Sequence, residues 1–366
     1  MNIPFLDLSF TYTTLQADID AAVARVLSSG YYIMGPEVDD FEAAFAQYCQ
    51  ADHCAGVANG LDALILSLRA LGVGAGDEVI VPSNTFIATW LAVSQVGATI
   101  VPVEPDAATY NIDPNRIKSA ITSKTRAIIA VHLYGQPANL GPLKDLCRTH
   151  SLALIEDAAQ AHGARYAEQR IGSQGDLVCW SFYPGKNLGA FGDGGAVTSN
   201  NPDLMQKIRV LRNYGSSKKY HNDVEGVNSR LDPLQAAILK VKLQHLDIWT
   251  EQRQKIAALY KSELADTGLV LPHVPQHTVP AWHLFVVQTE QRDALQNALT
   301  DRGIGTLIHY PVAPHMQVAY DHLGFGKTDF PLAQSMADRV LSLPIGPHLT
   351  MDQAQTVCAA VKDVAV

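Results

Sequence analysis

Ser181-Phe-Tyr-Pro-Gly-Lys186-Asn-Leu-Gly-Ala-Phe-Gly-Asp-Gly-Gly-Ala196 sets one lysine in a turn, directly behind the apolar run Leu177-Val-Cys-Trp-Ser-Phe182, and surrounds it with glycines. An amine held on a constrained turn behind a strand can form a Schiff base with an aldehyde cofactor, provided burial or nearby positive charge lowers its pKa. The alternative is a surface lysine in a Gly-rich loop. Two upstream segments bear on the choice. Leu152-Ala-Leu-Ile-Glu156 has strand length, and Asp157-Ala-Ala-Gln160-Ala-His162-Gly163 follows at once. Open α/β sheets place ligand contacts at the carboxyl ends of their strands. A carboxylate there, beside a pyridine nitrogen, keeps the ring protonated and makes it an electron sink. Asp157 as a helix N-cap is the plainer alternative; Lys186 further along and Gln160 one turn away favour the cofactor reading. Ala58-Asn-Gly60-Leu61-Asp62 opens the apolar helix that runs to Leu71, and free N–H groups at a helix start favour a phosphate.

Working outward, short apolar runs alternate with helical stretches from about residue 75 to 200. Strands are expected at Glu78–Pro82, Thr99–Val103, Arg126–His132, Leu152–Glu156 and Leu177–Phe182. Ile87–Val96, Asn115–Ile121 and Leu140–His150 carry apolar residues at helical spacing between them. This alternation implies a mainly parallel sheet with right-handed crossovers, and the continuous apolar runs imply cover on both faces. Asp232–Glu263 is long, Gly-free and amphipathic, and reads as one or two helices joining two units. The expected division is a large unit over 1–245, N-terminal segment included, and a smaller C-terminal α+β unit over 246–366. In the latter we expect a strand at His283–Gln288, a helix at Arg292–Arg302, a strand near Thr306–His309 and a closing helix after Thr350.

A hydrophobic content of 47% with 17% charged residues describes a chain with a buried core, and a net charge of −9 argues against a general nucleic-acid surface. An anionic ligand would then need a local basic cluster; Lys218, Lys219 and Arg230 are the candidates, although Lys218-Lys219 also fits a solvated loop. The N-terminus lacks the basic start and apolar core of a signal peptide, and no run of 18 apolar residues is present, so no membrane span is expected. Five scattered cysteines without redox or metal spacing point to reduced structural thiols and a cytoplasmic location. The thirteen histidines show no paired ligand spacing, and no metal site is expected.

Taken in order, these segments resemble the sugar aminotransferases of the DegT/StrS type, a branch of the fold-type-I pyridoxal 5′-phosphate (PLP) enzymes. The resemblance runs through Gly30-Tyr-Tyr-Ile-Met-Gly-Pro-Glu37, Asn59-Gly-Leu-Asp-Ala-Leu64 and Val81-Pro-Ser-Asn-Thr-Phe86. It continues in Glu156–Gly163, Ser181–Ala196, Gly226-Val-Asn-Ser-Arg-Leu-Asp232 and His309-Tyr-Pro311. It implies an aspartate-aminotransferase-like α/β fold: a mainly parallel seven-stranded sheet between helices, with a smaller α+β domain.

The resemblance also implies roles. Lys186 would bind the cofactor covalently and later move protons. Asp157 would pair with the pyridine nitrogen, Gln160 would bond near the ring hydroxyl, and Phe86 would stack on the ring. The N–H groups of Gly60 and Leu61 and the hydroxyl of Ser181 would take the phosphate. Asn228 would reach that phosphate from the other subunit of a homodimer. Leu61 departs from the Thr or Ser of many relatives, so only a backbone contact carries over there. Tyr183, Lys219, Arg230, His309 and Tyr310 are candidates for the sugar-nucleotide pocket, and His162 for either the cofactor shell or packing behind the sheet. The implied reaction takes the amino group of L-glutamate through pyridoxamine phosphate to a nucleotide-linked 3-keto-6-deoxyhexose, giving a dTDP-3-amino-3,6-dideoxyhexose. A C4 aminotransferase and a non-catalytic PLP-fold binding protein are the alternatives. A related dehydratase subgroup has His where this chain has Lys186, which separates the two reactions.

Overall fold

A computed structural model of the chain describes residues 2–364. Its centre is a seven-stranded sheet. β1 (His53–Val57) is followed by β2 (Glu78–Pro82), β3 (Thr99–Val103), β4 (Thr125–Val131) and β5 (Ala153–Asp157), then by Leu177–Ser181 and Gly195–Ser199. In space they lie in the order β1, Gly195–Ser199, Leu177–Ser181, β5, β4, β2, β3. Gly195–Ser199 runs antiparallel to both neighbours; the other strands are parallel. Sequence reading missed β1, and it missed this antiparallel strand because Gly195 and Ala196 extend the glycine-rich turn without an apolar run to mark the change.

The expected apolar strands follow from their surroundings. One face of the sheet packs Ile80, Ile128, Leu154 and Val178 against Phe41 and Phe45 of a helix over Pro36–Cys49; the other packs Val79, Ile129, Ile155 and Cys179 against Leu64, Leu66 and Leu68 of a helix over Gly60–Ala70. Phe45, Trp180 and Phe182 meet edge to face with centroids 5.2 and 5.3 Å apart, contacts that add about 0.5–1.5 kcal/mol per pair beyond burial.

The long amphipathic stretch forms two helices, Pro233–Leu243 and Leu246–Glu263. Beyond them the strand Phe285–Gln288 pairs antiparallel with Val340–Leu343, a strand the sequence did not reveal, and the closing helix spans Met351–Val364. The expected strand near Thr306–His309 is not a strand. Leu307 makes a single bridge to Ser342, after which the His309 carbonyl accepts the Tyr134 hydroxyl and its Nδ1 bonds Ser342 Oγ at 2.8 Å, so the ladder stops. A helix over Ser9–Ser29 packs Ala22 and Val26 against Ala237 of helix Pro233–Leu243, whereas the residues before it reach the C-terminal part of the chain. Ile3 is fully buried among Phe285, Leu343 and Leu299, donates to Gly303 O at 2.8 Å and accepts from Gly305 N at 2.8 Å.

Candidate active site

β5 and Leu177–Ser181 are neighbours in the sheet, with Asp157 opposite Cys179, so their carboxyl ends deliver Asp157 and the Lys186 turn to one cleft. Asp157 is nearly buried. Its Oδ2 accepts the Thr89 hydroxyl at 3.0 Å, its Oδ1 the Ala159 N–H at 3.2 Å, and Thr85 backs Thr89 at 2.9 Å. Burial outweighs these donors and raises the carboxyl above its ordinary range. A buried carboxylate with neutral donors but no hydrogen-bonded cation fits a protonated ring nitrogen. Lys186 keeps some solvent access, yet burial lowers its amine to about 8, with Asp157 pulling the other way.

The residues expected to take a phosphate meet at the start of the Gly60–Ala70 helix. Asn59 caps it, its side chain accepting from Asp62 N at 2.8 Å, and the amides of Gly60 and Leu61 precede the first intrahelical bonds. A Cβ on Gly60 would sit 2.7 Å from Ser181 Cβ, so only glycine brings this helix start against Ser181. Amides, helix dipole and hydroxyl converge as a phosphate requires.

One wall is aromatic. Phe86 is 51% exposed, its ring 5.3 Å from that of Tyr310, and offers a face to a flat ligand. Gln160 is buried behind them. Its Oε1 accepts Tyr134 N at 2.5 Å and its Nε2 donates to Tyr310 Oη at 3.0 Å, leaving one amide proton for a ring hydroxyl. His309 lies beside Tyr310, and burial, helped by Lys186, pushes it down to about 4. His162 resolves toward packing: it is enclosed by Phe45, Trp180 and Phe182, and burial drives it down to about 3.

The Lys186 turn is braced from two sides. On helix Pro233–Leu243, Gln235 Oε1 accepts Phe191 N at 2.7 Å. Two turns on, buried Lys242 donates to the Gly189 carbonyl, with its Nζ 4.8 Å from the Phe191 ring centroid. On the other side Asn187 Nδ2 donates to Ala281 O at 2.8 Å and its Oδ1 bonds His283 Nδ1 at 3.2 Å.

Of the remaining candidates, Tyr183 adjoins Lys186 and the others lie apart from it. Tyr183 is exposed beside the lysine, its carbonyl accepting Lys186 N at 2.8 Å. Lys219 is exposed on a hairpin (Ser216–Lys218 with His221–Asn222), over the Tyr220 ring. Arg230 is tied to Asn213 at 3.0 Å and lies over Tyr214, and exposed Asn228 bridges Asn213. No described bond links Asn228, Lys219 or Arg230 to Lys186 or Asp157 of the same chain. Thr89, Tyr134, Asn187 and His283 escaped sequence reading. The four-residue spacing of Thr85 and Thr89 on a helix start, and the adjacency of Asn187 to Lys186, were the available signals.

Residues 13–362 match the DegT/DnrJ/EryC1/StrS aminotransferase family. The chain is 54% identical to dTDP-3-amino-3,4,6-trideoxy-alpha-D-glucose transaminase of Streptomyces venezuelae, over 99% of this chain and 96% of the relative. It is 52% identical to dTDP-3-amino-3,6-dideoxy-alpha-D-galactopyranose transaminase of Aneurinibacillus thermoaerophilus, over 98% of both. The crystal structure of S. venezuelae DesV in complex with a ketimine intermediate superposes with a TM-score of 0.98 at 54% identity, covering 100% of this chain and 98% of that one.

Proposed function

Since this chain belongs to the DegT/DnrJ/EryC1/StrS aminotransferase family and is a PLP-dependent aminotransferase of nucleotide-linked sugars, we propose that it transfers the amino group of L-glutamate to C3 of a dTDP-linked 3-keto-6-deoxyhexose, giving a dTDP-3-amino-3,6-dideoxyhexose. One observation carries the reading of the site. On neighbouring strand ends, a lysine whose amine is lowered to about 8 faces a buried carboxylate with no hydrogen-bonded cation of its own. The two dTDP-3-amino-sugar relatives support C3 and dTDP.

Bound PLP supplies an electron sink for the carbanion that forms when a C–H bond next to nitrogen is broken. The chain does the rest. Asp157 accepts the ring N–H and holds the ring protonated. The Gly60 and Leu61 amides and the Ser181 hydroxyl take the phosphate, Phe86 covers a ring face, and Gln160 spends its remaining proton on the ring hydroxyl. Lys186, neutral once released, takes the proton from the donor's Cα and later returns one to sugar C3. A single movable base serves both halves, so the kinetics are ping-pong.

In this reading Asn228 reaches the phosphate of the other subunit in a homodimer. Tyr183, Lys219, Arg230, His309 and Tyr310 surround the sugar nucleotide. Among the described residues no helix is long and apolar enough to cross a membrane, and we place the enzyme in the cytoplasm.

The test is an absorption titration. The purified chain with added PLP gives a visible band of the Lys186-linked cofactor, and L-glutamate converts it to the shorter-wavelength pyridoxamine form. Addition of 3-keto and 4-keto dTDP-hexoses, side by side, then restores the band with the 3-keto sugar. Restoration by the 4-keto sugar alone overturns the C3 assignment, and absence of any PLP band overturns the role of Lys186.

A further inference from the structure

His283 lies where the smaller unit meets the Lys186 turn. Its backbone is packed against Gly135, where a Cβ would sit 2.8 Å from His283 N and 3.0 Å from Trp282 N. The residue before it, Trp282, holds φ 49°, a region non-glycine residues seldom occupy, so this segment is fixed by its surroundings.

The hydrogen bonds around Asn187 decide the protonation of the His283 ring. The Ala281 carbonyl can only accept, so the Asn187 atom facing it at 2.8 Å is Nδ2, and the other amide atom is the oxygen. That oxygen can only accept as well. The ring nitrogen 3.2 Å from it, Nδ1, therefore carries the proton. Burial holds the ring neutral, well below its ordinary range, and the charges of Lys186 and Arg253 and the nearby rings of His309 and His162 act in the same direction. A neutral imidazole with its proton on Nδ1 has a bare lone pair on Nε2. Nε2 has no hydrogen-bond partner among the described residues, and the side chain is only half-buried.

We propose that Asn187 fixes His283 as the Nδ1–H tautomer so that Nε2 stands at the Lys186 cleft as a hydrogen-bond acceptor for a donor group of the substrate. The donor is an N–H or O–H: the amino group of the amino-acid donor, or a hydroxyl of the keto sugar. Asn187 is thus a positioning residue acting through its neighbour, and His283 touches substrate. This rests on the aminotransferase reading above.

Three measurements on the full-length holoenzyme test it. Nitrogen-15 NMR of the histidine rings, with the His283 signal identified by its loss in His283→Asn, should show a pyrrole-type Nδ1 and a pyridine-type Nε2. A proton on Nε2, or an imidazolium, overturns the proposal. His283→Asn keeps a donor where Nδ1–H stands and removes the acceptor, while His283→Gln places an amide oxygen near the Nε2 position. Stopped-flow single turnovers then follow glutamate with the PLP form and keto sugar with the pyridoxamine form. His283→Asn should slow one of them by about 10- to 100-fold, the loss expected for one hydrogen bond to a buried partner, and His283→Gln should recover part of it. The half-reaction affected identifies the donor. If the wild type turns over and both variants keep both rates, the proposal falls and the aminotransferase reading stands. If the wild type reacts with neither glutamate nor keto sugar, that reading fails and takes the substrate contact with it, while the tautomer is still read by NMR.

Discussion

Thr89→Val removes one hydroxyl from beneath the proposed ring-nitrogen site and keeps the side chain's shape. In the wild type, Thr89 Oγ1 donates to Asp157 Oδ2 at 3.0 Å inside a region closed to solvent. A hydrogen bond to a charged group contributes about 1.5–3 kcal/mol, so its loss raises the Asp157 pKa further. In the proposed site Asp157 must ionise to hold the ring nitrogen protonated, so in PLP titrations run below its pKa the same energy appears as about a 10- to 150-fold rise in Kd. Loss of Thr85's partner at 2.9 Å affects apo and loaded protein alike, and so appears in the melting temperature rather than in Kd. The assay is equilibrium titration of apo-protein with PLP for wild type, Thr89→Val and Thr89→Ser, each with its Tm. Thr89→Ser restores the donor and should bind within about threefold of wild type. Equal Kd for Thr89→Val and wild type, or a Thr89→Ser loss as large as that of Thr89→Val, refutes the reasoning.

Three further outcomes follow from the geometry. With its pKa lowered from 10.5 to about 8, Lys186 is about one quarter neutral at pH 7.5, against about 0.1% for an ordinary lysine, so the rate of PLP attachment should rise with pH and level off above about 8; a rate still climbing near pH 10 contradicts the burial argument. Gly60→Ala drives a Cβ to 2.7 Å from Ser181 Cβ and 3.3 Å from its Cα, which should destabilise the protein by about 1–3 kcal/mol and weaken PLP binding, read by denaturant unfolding and titration. Lys242 is also lowered to about 8 by burial, so between pH 8 and 10.5 the unfolded chain binds more protons there than the folded one, and stability gains from this residue as pH rises. Lys242→Met should flatten that part of the stability–pH curve and, by freeing the Gly189 carbonyl, slow PLP attachment.

The parts of the fold carried by local pattern were legible in the chain. β2 and β3 span the apolar runs expected of them, and Asp157 closes β5 at the carboxyl edge of the sheet. Strand Gly195–Ser199 was not legible, because its apolar content is two residues and its place is set by pairing with β1, far away in sequence. Thr306–His309 had strand composition, but the His309 carbonyl and Nδ1 are taken by Tyr134 and Ser342. Lys186, Asp157, Gly60 and Ser181 converge because strand ends and a helix start are local features brought together by one sheet. The Thr89–Asp157 and Asn187–His283 contacts join residues 68 and 96 positions apart, and no spacing rule reaches that far.

Ile3 has a consequence for the order of assembly. It is synthesised well before its hydrogen-bonding partners, Gly303 and Gly305. Among the described residues the hydrophobic core formed by residues 256–361 also includes Ile3, far away in sequence, so Ile3 can be buried only once those residues have been made. Until then Ile3 must stay unengaged, and a tether that holds it elsewhere would delay completion of the C-terminal core rather than of the sheet that carries Asp157.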